Sequence, residues 1–195
     1  VALYLIKEQN MITGIEELKF GVEDREQANQ FLHDFGLTKM PSDLEGTDLY
    51  HTQNGCKIYL FDLADARLPE PIEAGSTLRE VTWGVEHDQD LAALKEKLSA
   101  EPKFTATAGR VQCLDPNGMT IVFKKTITKA IPQAKTEGIN QFGNIQRVNA
   151  ASPVYEKAEP VDIGHVVFFT PDLKTTQAFY IEKLGFHLSD AYTNR

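Results

Sequence analysis

Cysteine is scarce in this sequence. There are two, Cys56 and Cys113, and no CxxC pair, which argues against a thiolate metal site. Each sits in an apolar, strand-like stretch and reads as a buried free thiol. Basic charge is also in short supply. Lys and Arg number 20 against 28 Asp and Glu, for a formal net charge of -8. This excludes a broad basic footprint for nucleic acid, but not a small-molecule site, because a local basic pocket can sit on an acidic protein. No apolar run approaches the ~18 residues of a membrane span, and no signal-peptide pattern is present. The expected partners therefore include neither membrane nor nucleic acid, and the expected compartment is the cytoplasm. What the chain does have is core: 42% of its 195 residues are hydrophobic, enough for one large domain or one and a half ordinary ones.

The sequence repeats itself. Three segments share a plan of apolar strand, acidic helix start, amphipathic helix and a break. Residues 15–22 (IEELKFGV) lead to Glu23-Asp24, residues 78–85 (LREVTWGV) to Glu86-His87-Asp88, and residues 163–170 (IGHVVFFT) to Pro171-Asp172. Ala28, Phe31, Leu32 and Phe35 fall at i, i+3, i+4 and i+7, which predicts one inward helix face. Leu91, Leu94 and Leu98 form a similar stripe in the second unit, and Thr176, Phe179, Tyr180 and Leu184 in the third. Asp24 with Gln27 suits an N-terminal capping box. Gly36 and Gly185 stand where a left-handed C-terminal cap needs glycine.

Strand signals follow the first two helices. Residues 46–51 and 55–62 flank Gln53-Asn54-Gly55, where Asn-Gly predicts a hairpin turn. Residues 109–114 and 119–124 flank Asp115-Pro116-Asn117-Gly118, again turn chemistry. The predicted fold class is α+β: two βαβββ modules over residues 14–125 form one open, cup-shaped, eight-stranded barrel. Residues 1–13 form an N-terminal extension. Within it, Met11 looks like a natural beginning, and the loose alternation of Val1, Leu3 and Leu5 could add a strand. Residues 126–160, rich in Asn, Gln, Ala and Pro, read as a linker packed along a domain. A second such domain begins at about residue 161 and is incomplete at Arg195.

The run Ile163-Gly164-His165-Val166-Val167, with Pro171-Asp172-Leu173, Ala178-Phe179-Tyr180 and Leu184-Gly185-Phe186, resembles the opening of a vicinal oxygen chelate module. Asp115-Pro116-Asn117-Gly118 with Ile121 and Phe123 resembles the closing strand of one. That superfamily includes glyoxalase I, bleomycin resistance proteins and extradiol dioxygenases, and the resemblance spans about residues 14–195. The layout is most similar to a two-domain type I extradiol dioxygenase, truncated. The resemblance implies a ring-cleaving oxidoreductase acting on a catechol-type aromatic with O2, used in aromatic catabolism. It implies a C-terminal barrel holding Fe(II), or sometimes Mn(II), through two His and one Glu, and an N-terminal barrel without metal.

By that resemblance His165 is the first metal ligand, while the remaining ligands and the catalytic groups are expected beyond Arg195. The 195-residue chain alone is then expected to hold no cofactor tightly and to be inactive. Taken without the resemblance, a lone His on an apolar strand reads as a hydrogen-bonded core residue. The position of His165 corresponds to Glu17 and Glu80 in the first two repeats. The position of the metal Glu in the closing strand is Val122, which offers no ligand. His33 on a helix flank and His87 at a helix start read as solvated, His51 lies off the pattern, and His187 reads as a strand or surface residue. Phe179 and Tyr180 read as core, and Trp83 as core or barrel lining. Two other classes stay open: a metal-free small-molecule binding protein of the bleomycin resistance kind, and a glyoxalase-like lyase or isomerase. The unfinished third module leaves an apolar face, so a homo-oligomer is expected, with the first barrel or further residues of the protein as the other ways to cover that face.

Overall fold

The computed structural model describes residues 3–4, 11–132, 154 and 156–188. In chain order the elements are β1 (Leu3–Tyr4), β2 (Ile12–Val22), α1 (Arg25–Asp34), β3 (Thr38–Met40), β4 (Asp48–His51) and β5 (Lys57–Asp62). Then come β6 (Thr77–Val85), α2 (Asp88–Leu98), β7 (Thr105–Thr107), β8 (Arg110–Leu114), β9 (Thr120–Lys125), α3 (Leu173–Gln177) and β10 (His187–Leu188). Eight strands form one open sheet in the order β3-β4-β5-β2-β6-β9-β8-β7. Each half is one βαβββ module. Its first strand runs parallel to its last, β2 with β5 and β6 with β9, and the halves meet along the antiparallel β2–β6 pair. The two predicted modules are therefore present and related by a pseudo-twofold at β2 and β6.

Strand pleating divides the sheet into two faces. Leu18, Val81, Val111, Cys113, Ile121 and Phe123 point to the helix side and join the main core. Both thiols are fully buried, and burial first of all pushes each up to about 12. The opposite, cup-side face is crossed by a continuous row: His51, Lys57, Glu17, Thr82, Val122 and Gln112. A second row beside it holds Leu49, Tyr59, Lys19, Glu80, Thr120 and Leu114.

The two helices are seated differently. In α2, Leu91, Leu94 and Leu98 are all buried, as their spacing predicts. In α1 the predicted stripe fails in part. Ala28 and Leu32 are half-buried against Val22, Leu37, Tyr50, Ile58 and Leu60, but Phe31 is 63% exposed and Phe35 57%. Polar anchors set the rotation of α1. Arg25 Nη2 donates to Asp48 at 2.7 Å, Asn29 Nδ2 donates to the same carboxylate at 2.8 Å, and the Tyr50 hydroxyl donates to Asn29 Oδ1 at 2.7 Å. The inward face is therefore Arg25, Ala28, Asn29 and Leu32. At ~100° per residue Phe31 lies roughly 110° from its centre. Phe31 and Phe35 instead stack on each other, ring centroids 5.9 Å apart.

The predicted cap of α1 forms as half of a capping box. The Asp24 side chain accepts from Gln27 N at 2.9 Å, and among the described residues no return bond from the Gln27 side chain accompanies it. Gly36 and Gly185 have φ of +101° and +83°, the left-handed conformation that a helix C-cap requires. The Asn54-Gly55 turn also grips the linker. Asn54 O accepts from Lys129 N at 2.9 Å, Asn54 N donates to Val161 O at 2.9 Å, and Gln53 N donates to Pro160 O at 3.0 Å. Glu16, the extra residue at a bulge between Ile15 and Glu17, accepts from Ile127 N, Thr128 N and Thr128 Oγ1, each at 2.9 Å. The rest of the predicted linker, residues 133–153 and 155, lies outside the described residues. In the N-terminal extension, β1 pairs antiparallel with β10.

Candidate functional site

Two places in the chain share one position of the repeated strand. The first is the cup of the barrel, where Glu17 and Glu80 are 7% and 4% exposed. The second is residues 163–170, which carry His165 at the surface.

Residues 163–170 do not form the predicted strand. A strand needs a hydrogen-bonded neighbour, and among the described residues this segment has no ladder partner. Alternation survives from His165 onward: Val166 and Phe168 pack on the main core, while His165 is exposed, Val167 is 76% exposed and Phe169 85%; Ile163, which also packs on the core, falls outside that alternation. The sequence places the imidazole on the same outward side as two large apolar residues.

The helix that follows is firmly seated. Asp172 caps α3 by accepting from Thr175 N at 3.0 Å. The helix then widens into a π-helical segment over Ala178–Lys183. Leu184 N donates to Phe179 O five residues back, and Phe179, Tyr180 and Leu184 are all buried. The Tyr180 hydroxyl donates to Asp115 Oδ2 at 3.0 Å. Burial and the adjacent Asp115 carboxylate push the Tyr180 phenol well above its usual range. Asp115 belongs to the predicted Asp-Pro-Asn-Gly turn and also accepts from Asn117 N and Met119 N. Trp83 meets Phe186 edge to face, centroids 5.0 Å apart, and Lys183 pairs with Glu101. The first barrel thus covers the apolar helix face of the third module. Thr176, the first residue of that stripe, is half-buried.

A cavity of about 380 Å3 lies where this segment meets the barrel. Ile15, Trp83, Phe168, Tyr180 and Phe186 line its apolar side, and Asn54, Asp162 and His165 are among its polar lining. The indole Nε1 of Trp83 is buried there without a hydrogen-bond partner among the described residues. Trp83 therefore combines core packing with cavity lining.

In the cup, the two carboxylates are ion-paired. Lys124 Nζ lies 3.0 Å from Glu17 Oε2. Lys19 Nζ lies 2.8 Å from Glu80 Oε1, and Arg110 Nη2 lies 3.3 Å from Glu80 Oε2. Val122, fully buried, stands in the same cup. His51 sits at the end of the row beside Lys57. Burial first, then the Lys57 charge, lowers its pKa, and its Nε2 is buried without a hydrogen-bond partner among the described residues. His33 and His87 are exposed, as predicted, His33 in the last turn of α1 and His87 at the start of α2, and His187 is exposed in β10. Sequence reasoning missed the three counterions. The one available signal was the Glu17-x-Lys19 alternation, which puts both charges on one side of a strand.

Among the described residues, no group of three or more His, Cys, Asp or Glu side chains is placed to hold a metal ion. His165 offers one imidazole. The described residues therefore do not fit a complete 2-His-1-carboxylate centre, and no chemical step is assigned to them.

The comparisons agree with this architecture. The chain is 28% identical over 189 residues to metapyrocatechase 2 of Cupriavidus necator, covering 93% of this chain and 55% of that protein. Among solved structures, the Mn(II)-bound glyoxalase of Novosphingobium aromaticivorans superposes with a TM-score of 0.62 at 19% identity, over 93% of this chain and 55% of that one. BphC, a halotolerant catechol dioxygenase, gives 0.62 at 18% identity, over 92% and 57%. The chain has the vicinal oxygen chelate fold. The 2,3-dioxygenase LapB of Pseudomonas sp. KL28 shares it, with a TM-score of 0.62 at 16% identity over 92% of this chain and 61% of that one. No protein-family profile matches the chain. The chain spans about 55% of the length of its curated relative. Because dioxygenases and a glyoxalase share the fold, the fold alone does not choose the reaction. No helix among the described residues is long and apolar enough to cross a membrane.

Proposed function

We propose that this chain is the non-catalytic barrel and the first metal-ligand segment of an extradiol dioxygenase that opens a catechol-type ring with O2. The observation that carries the reading is the placement of His165. It occupies the repeat position of Glu17 and Glu80, yet it stands exposed beside Val167 and Phe169 and not neutralised inside a cup. The likeness to a metapyrocatechase along 93% of the chain supports the same reading. In a 2-His-1-carboxylate centre the metal, Fe(II) or Mn(II), would supply coordination of substrate and O2. His165 would contribute one neutral imidazole to it. The remaining ligands would come from outside the described residues. An apolar surround beside the ligand suits an aromatic ring. Homo-oligomers would further cover Val167 and Phe169.

The test uses the natural protein that carries this sequence, loaded anaerobically with Fe(II). Oxygen uptake with catechol and a yellow ring-opened product are the expected results. No uptake, together with isomerisation of a glutathione hemithioacetal, would replace this reading with the glyoxalase-like one. Binding of an aromatic ligand with neither activity nor bound metal would replace it with a binding protein.

A further inference from the structure

We propose that the cavity between the first barrel and residues 163–170 binds a small, uncharged aromatic molecule that offers an oxygen acceptor to Trp83. Its volume of about 380 Å3 lies in the range of small-molecule sites. The apolar wall is assembled from distant parts of the chain. β2 supplies Ile15, β6 supplies Trp83, and the segment after the linker supplies Phe168. Tyr180 comes from the π-helical segment and Phe186 from just beyond it. Trp83 and Tyr180 each meet Phe186 edge to face, centroids 5.0 and 5.5 Å apart, which fixes three rings around one space. Aromatic edges and faces of this kind suit a planar ring. Short π-helical turns such as Ala178–Lys183 recur at functional sites.

The polar lining decides what the ring must carry. Trp83 is 8% exposed, and its indole N–H has no acceptor among the described residues. The lining hydroxyls of Thr128, Thr176 and Tyr180 are committed elsewhere, to Glu16, Asn117 and Asp115. A buried donor left unpaired costs free energy, which an oxygen acceptor on a ligand recovers. Charge narrows the class further. Among the described residues no Lys or Arg lines the cavity, whereas Asp162 does. A carboxylate or phosphate would therefore meet no countercharge there. A cation or a plain hydrocarbon would leave the indole N–H unmatched. An aromatic alcohol or ketone meets every condition. Asp162 and His165 are both exposed, so the cavity opens to solvent on their side. Such binding needs neither metal nor ring cleavage and stands apart from the dioxygenase reading.

The test titrates the natural protein that carries this sequence, prepared without metal, with benzyl alcohol, toluene and benzoate, and follows binding by calorimetry and by the indole N–H resonance of Trp83. That resonance is identified by its loss in Trp83→Phe. Benzyl alcohol should bind saturably and shift it, and benzoate should bind roughly tenfold or more weakly. Trp83→Phe keeps an aromatic ring and loses the donor. It should weaken benzyl alcohol roughly three- to tenfold and leave toluene unchanged. A second variant, Val166→Phe, puts a larger ring into the lining and should weaken both neutral ligands, which decides the matter if Trp83→Phe does not fold. No saturable binding of benzyl alcohol, as when water or other residues of the protein fill the cavity, would overturn the proposal. So would benzoate binding as tightly as benzyl alcohol, or unchanged benzyl alcohol affinity in either folded variant. None of these readouts uses ring cleavage, so a failure here leaves the dioxygenase reading untouched.

Discussion

One position of a repeated strand meets two fates in this molecule. In the first two copies it is a glutamate, sealed in a finished cup and matched by lysine and arginine. In the third copy it is His165, exposed on a segment with no strand paired to it among the described residues. The contrast shows what completion of a barrel does to a polar side chain. Burial forces neutralisation within the chain, whereas a group at an open face stays available to a ligand.

If the contrast between finished and open copies is sound, substitutions in the barrel should cost far more than equivalent ones in the open segment. Leu94→Ala removes a fully buried side chain from α2 and should destabilise by about 3 kcal/mol or more, through lost burial and a residual cavity. Urea denaturation measures it, and a loss under ~1 kcal/mol would show that the α2 core is loosely packed. Lys124→Met leaves Glu17 buried with its nearest counterion gone, and should cost about 3 kcal/mol. That loss should shrink when Glu17→Gln is combined with it, in a double-mutant cycle.

A third test concerns acid. Burial raises the pKa of Asp48, but hydrogen bonds from Lys39, Asn29 and Arg25 outweigh it and hold the carboxyl down at about 2. A depressed carboxylate stabilises the fold fully above its unfolded value near 3.8 and loses that contribution as pH falls toward 2. The amount is at most about 2 kcal/mol. Asp48→Asn should therefore flatten the stability profile between those values without changing its shape near neutrality. The smallest effect belongs to the open segment: Phe169→Ser, at a position 85% exposed, should shift stability by no more than about 0.5 kcal/mol.

The same contrast explains what could be read from the residues. The βαβββ plan was legible because it rests on local signals: Asn54-Gly55, Asp115-Pro116-Asn117-Gly118, the Asp24 cap and the leucine stripe of α2. The edge strands β3 and β7 were not placed, since three polar-rich residues carry no period. The face of α1 was misjudged because Asp48, from β4, fixes its rotation, and that contact is invisible to helical periodicity. The strand at 163–170 was over-read. Its alternation is real, but a strand also requires a partner, which periodicity cannot supply. At the candidate site, the equivalence of His165 with Glu17 and Glu80 came from the repeat. The matching cations Arg110 and Lys124 come from distant strands and became visible only in the folded sheet.

If equivalent positions do different work, the glutamate in the fold and the histidine at a metal, substitutions at the two should have opposite effects. Iron content and melting of the natural protein after His165→Ala and after Glu17→Gln, each prepared under identical loading, separate the two roles. His165→Ala should stay as stable as wild type and lose its stoichiometric iron, while Glu17→Gln should melt lower and keep it. Full iron in folded His165→Ala, or iron lost from folded Glu17→Gln, would contradict that division of roles.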